Sequence, residues 1–220
     1  MSRRATFLCC CVLLHSLGAW AQSRTTAPPE AELWPELIFS HAFTPTLNVG
    51  GGGFYHLSHN MTRGSDRYLG GYLNYTVRKW LMVSPAYRYN RSETGKNTLT
   101  HENRLSLDAT LRLPRWQGFD LSDRHRGEGR LIDGLWSERY RNRLLLEHPL
   151  GSNGHTVTPY AAFEDFYDTR YGWNRTRVYA GARFPLARRL VLDTSYVHQL
   201  DGHAPVHDIH VLWVVLRVRL

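Results

Sequence analysis

From Thr100 to Leu113 the chain alternates strictly, with Glu102, Arg104, Ser106, Asp108, Thr110 and Arg112 on even positions and Leu105, Leu107, Ala109, Leu111 and Leu113 on odd ones. Successive side chains on a β-strand point to opposite faces, so this spacing predicts a strand with one oily and one charged face. The same period recurs along most of the chain. It sets Leu47, Val49, Tyr55 and Leu57 against Asn48, Phe54 and His56, and Leu69, Leu73, Tyr75 and Val77 against Tyr68, Tyr72, Asn74 and Thr76. In Trp80–Asn90 it sets Leu81, Val83, Tyr87 and Tyr89 against Ser84, Arg88 and Asn90. Further strands are predicted over Phe119–Arg130, Trp136–His148, Thr156–Asp165, Asn174–Phe184 and Leu190–Gln199, and a last one carries Leu212, Val214, Leu216, Val218 and Leu220.

Two stretches read less clearly. Trp34–Phe43 is apolar in both registers and holds Pro35 near its start; the oily face of Phe119–Arg130 gives way after Leu121 to Asp123, His125, Gly127 and Gly129. The second is the pattern of a strand that overhangs a membrane into water. Gly50–Gly53 lacks the lysine and hydroxyl residue of a phosphate loop, so it predicts a thin patch of wall approached closely by another backbone or a bulky side chain.

The connections predict an architecture. Thr44-Pro45, Arg78-Lys79, Pro114–Gly118, Gly151–Gly154 and Ala187–Arg189 are short, whereas Ser58–Ser65, Arg91–Leu99, Tyr167–Trp173 and Leu200–Val206 are longer and polar. Short turns on one side and long loops on the other is the plan of an outer-membrane barrel. Strands of 10–14 residues suffice to cross a bilayer when tilted, and closing the sheet satisfies every backbone group without water. The fold expected is all-β: a closed antiparallel up-and-down transmembrane barrel, of ten strands with Trp34–Phe43 inside or below the wall, or of twelve if one strand is hidden in the pattern. The alternative is an exported soluble β-sandwich binding protein, in which the charges coat the outer faces.

Composition sharpens the compartment. Arg3 and Arg4 precede the apolar run Phe7–Leu14 and then Ala19-Trp20-Ala21, the form of a secretory signal peptide. The domain plan is thus a signal peptide over 1–21, a flexible polar lead over 22–33 and a barrel over 34–220. All three cysteines, Cys9, Cys10 and Cys11, fall in the first segment, so the exported part must hold together by pairing and burial instead of disulfides. Without Arg3 and Arg4 the 27 basic residues become 25 against 19 acidic ones, a net charge of +6. Export removes the chain from nucleic acid, and its arginines alternate with apolar residues instead of clustering.

Several motifs carry a resemblance. The Glu102-Asn103-Arg104 strand, Arg126-Gly127-Glu128 with Arg130, Arg139 to Arg143, Pro159-Tyr160 with Glu164, and Asn174-Arg175 before Tyr179-Ala180-Gly181 resemble the bacterial outer-membrane barrel family known as domain of unknown function 2490. The resemblance runs over roughly 34–220 and implies an outer-membrane barrel without an assigned activity. It also implies outer-membrane lipid, lipopolysaccharide and the barrel-assembly machinery as partners. Barrels of this kind commonly end in an aromatic residue, and this chain ends in Leu220.

The candidate chemistry lies on the polar face. Glu102, Arg104, Asp108, Arg112, Arg124, Arg126, Glu128, Arg139, Arg141, Arg143, Glu147, Glu164, Arg175, Arg177 and Arg183 form the expected charge network of the lumen. They can fill and rigidify it through bidentate Arg–carboxylate pairs, or select small anions as charged rings do in pores. A lipid-modifying hydrolase of the lipid A deacylase type is the enzyme alternative. It would use His56 and Ser58, which share a strand face, but no acidic partner is identifiable from the sequence. His198, His203, His207 and His210 gather near the last loop without a fixed metal-ligand spacing, so neither a metal nor another cofactor is expected.

Overall fold

The computed structural model describes residues 28–93, 98–151, 156–203 and 208–220. The expected signal peptide lies outside them, as do residues 22–27 of the lead. The described residues form eleven strands: β1 (Glu30–Ala42), β2 (Leu47–Ser58), β3 (Arg63–Arg78), β4 (Leu81–Glu93), β5 (Leu99–Arg112), β6 (Asp120–Ile132), β7 (Leu135–Glu147), β8 (Thr158–Asp168), β9 (Gly172–Ala187), β10 (Leu190–Asp201) and β11 (Asp208–Arg219). Each pairs with its neighbours in sequence, and β1 closes the ring against β11. The sandwich alternative is overturned, because a single closed ring has neither two facing sheets nor free edges.

The strand count is eleven, not ten or twelve. Trp34–Phe43, expected inside or below the wall, belongs almost entirely to β1, which begins within the stretch assigned to the flexible lead. It runs antiparallel to β2 and parallel to β11, with Glu30 opposite Ile209 and Ser40 opposite Arg219. In an up-and-down ring directions alternate, so an odd number of strands forces one parallel pair. The C-terminus finishes this seam: the Leu220 N–H donates to the Ser40 carbonyl at 2.8 Å, and the His41 ring meets the Leu220 carbonyl at 3.0 Å.

The connections do not sort by length. At the upper rim, where β1 begins, they cover 59–62, 94–98, 133–134, 169–171 and 202–207; at the lower rim, beside Leu220, they cover 43–46, 79–80, 113–119, 148–157 and 188–189. The longest therefore stands where short turns are expected. At the upper rim Asp133 and Gly134 both have positive φ, 47° and 84°, the left-handed pair that lets a two-residue turn follow the twist of its strands.

Two local expectations resolve differently. Gly50–Gly53 is a thin wall, as expected: a Cβ on Gly50 would strike the Tyr72 ring, and one on Gly52 the Leu37 carbonyl. The outer face of β6, where the oily pattern fades, belongs to the paired wall. The strand is paired with β5 and β7 along its length, and Asp123 and His125 stand in the wall bonded to Asn142 and Tyr140 of β7.

Leu69, Leu105 and Leu107 point outward and are 70%, 62% and 57% exposed, part of an apolar outer surface. Trp80 and Trp116 near the lower rim and Trp136, Trp173 and Tyr171 near the upper one are also exposed, as expected of aromatic girdles at the two interfaces. Inside, one wall is apolar. Trp34, Ala162, Tyr179, Val197, Ile209 and Val211 pack together, with Phe54 and Trp213 against them.

Candidate functional site

Even-numbered positions of β5, β6 and β8 and odd-numbered positions of β7 and β9 project into the lumen, and there the charges meet. The register places like charges side by side: Arg126 is opposite Arg141, Arg124 opposite Arg143, and Arg104 opposite Arg130. Such pairs repel unless carboxylates from other rows bridge them. Glu164, with no exposure at all, does so at the centre. Its Oε1 accepts from Arg124 Nη2 at 2.7 Å and from Arg141 Nε and Nη2 at 3.1 and 2.8 Å, and its Oε2 accepts from the Tyr179 hydroxyl at 2.6 Å. Glu128 takes Arg141 Nη1 at 3.0 Å, and Asp108 takes Arg126 through two bonds of 2.6 Å. Glu102 is forked twice, by Arg104 (2.7 and 3.0 Å) and by Arg130 (2.7 and 3.1 Å). Two-bond Arg–carboxylate geometry fixes orientation as well as distance.

The other residues expected in the network fall into separate places. Arg139 approaches Asp168 at 3.4 Å and Arg175 Nε donates to Asp201 at 2.6 Å, both towards the upper rim. Near the lower rim Arg183 pairs with Glu147, while Asp193 gathers Arg183, Arg217 and the Tyr160 hydroxyl. Arg112 does not join: it is exposed at the end of β5, where it donates to the Met82 sulfur at 3.6 Å.

Three lumenal arginines lack a carboxylate within 4 Å among the described residues. Arg88 lies over the Tyr68 ring at 4.3 Å, Arg143 over Tyr179 at 4.8 Å, and Arg177 over Trp34 and Phe166 at 4.8 and 4.9 Å. Arg177 also donates to the Gln199 side-chain oxygen at 2.6 Å, and Nε of Arg143 is buried without an acceptor. All three line one cavity of about 470 Å³ together with Trp34, His56 and Tyr68. The nearby carboxylates are engaged elsewhere. Glu32 accepts from the Trp34 indole at 2.9 Å, and Glu36 accepts from the Trp213 indole at 3.1 Å and from the Tyr68 hydroxyl.

His56 faces the same cavity. Its ring is held between Glu32 at 2.5 Å and Asp66 at 2.8 Å, so β1 and β3 supply the acidic partners that sequence reasoning did not find. Ser58, two residues on, is buried, and its hydroxyl meets the His59 ring at 2.9 Å. His198 and His210 are strand partners stacked at 5.1 Å on the outer face, and Asp208 lies 2.7 Å from His198 Nε2. His203 stacks on Tyr171 at 4.9 Å, and His207 lies outside the described residues. Sequence reasoning also missed Glu32, Glu36, Asp66, Asp168, Asp193 and Asp201. Asp66 and Asp193 lie on the polar faces of their strands and were open to the same parity argument; Asp168 and Asp201 fell in stretches read as loops, Glu32 in the lead, and Glu36 in a stretch with no legible parity.

Two solved structures share this architecture. The β-domain of the Bordetella autotransporter BrkA aligns with a TM-score of 0.51 at 15% identity, covering 72% of this chain and 78% of that one. LpxR from Salmonella typhimurium aligns with a TM-score of 0.50 at 10% identity, covering 79% and 83%. At such identities the likeness is one of fold, and it defines the class: a β-barrel of the outer-membrane type. None of the curated proteins matches the chain. Residues 21–208 match the family described as protein of unknown function (DUF2490), and the chain belongs to that family.

Proposed function

We propose that the barrel is a structural element of the bacterial outer membrane whose lumen is closed to bulk flow and keeps a narrow, anion-preferring vestibule. The observation that carries this reading is the surplus of guanidinium groups. Arg88, Arg143 and Arg177 face one cavity without carboxylate partners, while Glu102 and Glu164 are each shared between two arginines. Rings beneath a cation hold it in place and leave its N–H edge free, and a planar guanidinium suits phosphate or carboxylate oxygens. Small anions fit both the volume and the charge.

The test is anion binding by the refolded barrel in zwitterionic detergent. Inorganic phosphate raises the unfolding midpoint of the wild type, and the Arg88→Gln/Arg143→Gln/Arg177→Gln variant loses that rise while still migrating as a heat-modifiable band. An equal rise in both proteins overturns the vestibule. The second reading, a hydrolase on His56 and Ser58, has the His56–Asp66 pair in its favour and the Ser58–His59 bond against it. Ester hydrolysis abolished by both His56→Ala and Ser58→Ala is its required result; hydrolysis that is absent from the wild type, or survives either change, ends it.

A further inference from the structure

The outer face of the barrel turns polar where β10 ends and β11 begins. Antiparallel register sets His198 opposite His210 and Leu200 opposite Asp208, and even positions on both strands point outward, as do the exposed Tyr196 and Leu212. The two histidines become neighbours only through this pairing, so no spacing along the chain announces them. Asp208 precedes His210 by two residues and therefore shares its face. Three side chains from two strands thus converge beside the connection 202–207 at the upper rim.

Their electron-pair donors face one another. Nε2 of His198 lies 2.7 Å, and Nε2 of His210 3.6 Å, from the same oxygen, Oδ1 of Asp208, and the three atoms fit within 4.8 Å. A zinc ion takes imidazole nitrogen and carboxylate oxygen at about 2.0–2.2 Å, which sets the ligand atoms of a tetrahedron roughly 3.3 Å apart. The two distances to the carboxylate bracket that spacing. The imidazoles are parallel to within 5° with centroids 5.1 Å apart, so a small turn of either ring brings both nitrogens onto one ion. Behind His210, the Tyr196 hydroxyl meets Nδ1 at 2.6 Å. A partner at the far nitrogen is what fixes the tautomer and orientation of a metal-binding imidazole, leaving Nε2 free to bind. A hydrogen-bonded strut would account for the His198–Asp208 contact alone; it gives no role to the second nitrogen aimed at the same oxygen. The three side chains are about a third or more exposed, so a hydrated ion can reach them.

We propose that His198, Asp208 and His210 form a binding site for a divalent transition-metal ion of the zinc type, which bridges β10 and β11 and keeps a fourth position open. Two imidazoles with one carboxylate suit zinc and disfavour calcium and magnesium, which take oxygen ligands. The site is on the outside of the barrel and shares no residue with the lumenal cavity, so it stands independently of the vestibule. His203, on the same rim, is not one of the ligands, since its ring stacks on Tyr171.

Titration of the refolded, untagged full chain with zinc chloride in competition with a colorimetric chelator tests the site, with Cys9, Cys10 and Cys11 alkylated so that no thiol competes. The wild type takes up one ion per barrel. His198→Ala and His210→Ala each weaken uptake by about tenfold or more, and Tyr196→Phe weakens it by about tenfold, as the loss of an orienting partner does. His203→Ala leaves it unchanged. Zinc also raises the urea midpoint of the wild type, because the ligands come together only when the strands are paired, and calcium does not. The proposal is overturned if the wild type takes up no zinc, if the His198→Ala/His210→Ala variant binds it as tightly as the wild type, if His203→Ala loses the ion as His210→Ala does, or if calcium raises the midpoint equally. Heat-modifiable migration shows that each variant is folded, and His198→Gln and His210→Gln replace any alanine variant that is not.

Discussion

The two sides of the lumen are built on different principles. From β5 to β9 the inward positions are mainly charged and the outward ones mainly apolar; on β1 and β11 the inward positions include Trp34, Ile209, Val211, Trp213 and Val215, while Leu37, Leu212, Val214 and Leu216 face out. Carboxylates on the first side take arginines, whereas Glu32 and Glu36 on the second take indole, hydroxyl and imidazole groups. The sides meet where Tyr179 donates to Glu164 and Arg177 lies on Trp34. An ionic wall pressed against an aromatic one fills the middle of the barrel. It also leaves cations without carboxylates, because the seam side spends its acids on neutral donors and His56.

The largest effect is expected from removing the seam. Deleting residues 22–42 leaves β2 and β11 as open edges in lipid, where unsatisfied backbone is not tolerated, and the heat-modifiable band disappears. A barrel that still folds after this deletion means β1 is not a wall strand. Next comes Glu164→Ala, which strands Arg124 and Arg141 in the centre. Breaking a buried ion pair from one side costs about 3–5 kcal/mol, read as a lowered urea midpoint followed by tryptophan fluorescence.

Tyr179→Phe is smaller. It takes one donor from the buried Glu164 while leaving both arginines in place, and a lost partner of a buried acceptor costs about 1–3 kcal/mol. The same unfolding curve checks it. Arg112→Ala should move stability by less than about 0.5 kcal/mol, as an exposed surface change does; a loss as large as that of Glu164→Ala would place Arg112 inside the network after all.

The same contrast explains what the sequence disclosed. Where one face is charged, parity is legible, and the strands from β5 to β9 and the inward direction of Glu102, Arg126, Arg141 and Glu164 follow from alternation alone. Where both faces are apolar, as on β1, parity vanishes. The seam strand then reads as something beside the wall, and the strand number comes out even. The Asp133-Gly134 turn also passed unrecognised, although Asp-Gly is a common two-residue hairpin turn; without it the loops appear to sort by length. Asp123 and His125 were visible as a break in the oily face, but alternation does not reveal their partners across the strands, Asn142 and Tyr140. For the candidate site, parity names the inward arginines. Which of them lack a carboxylate depends on registers across several strands, and so does the pairing of His56 with Glu32 and Asp66.

The claim that these two unlike sides close the lumen is tested most directly by single-channel recording of the refolded barrel in planar lipid bilayers. The wild type should give either no steps or rare small ones whose reversal potential in a salt gradient favours chloride over potassium. Large, frequent steps with little preference between the ions, persisting in the wild type, would show an open water-filled pore and contradict the account.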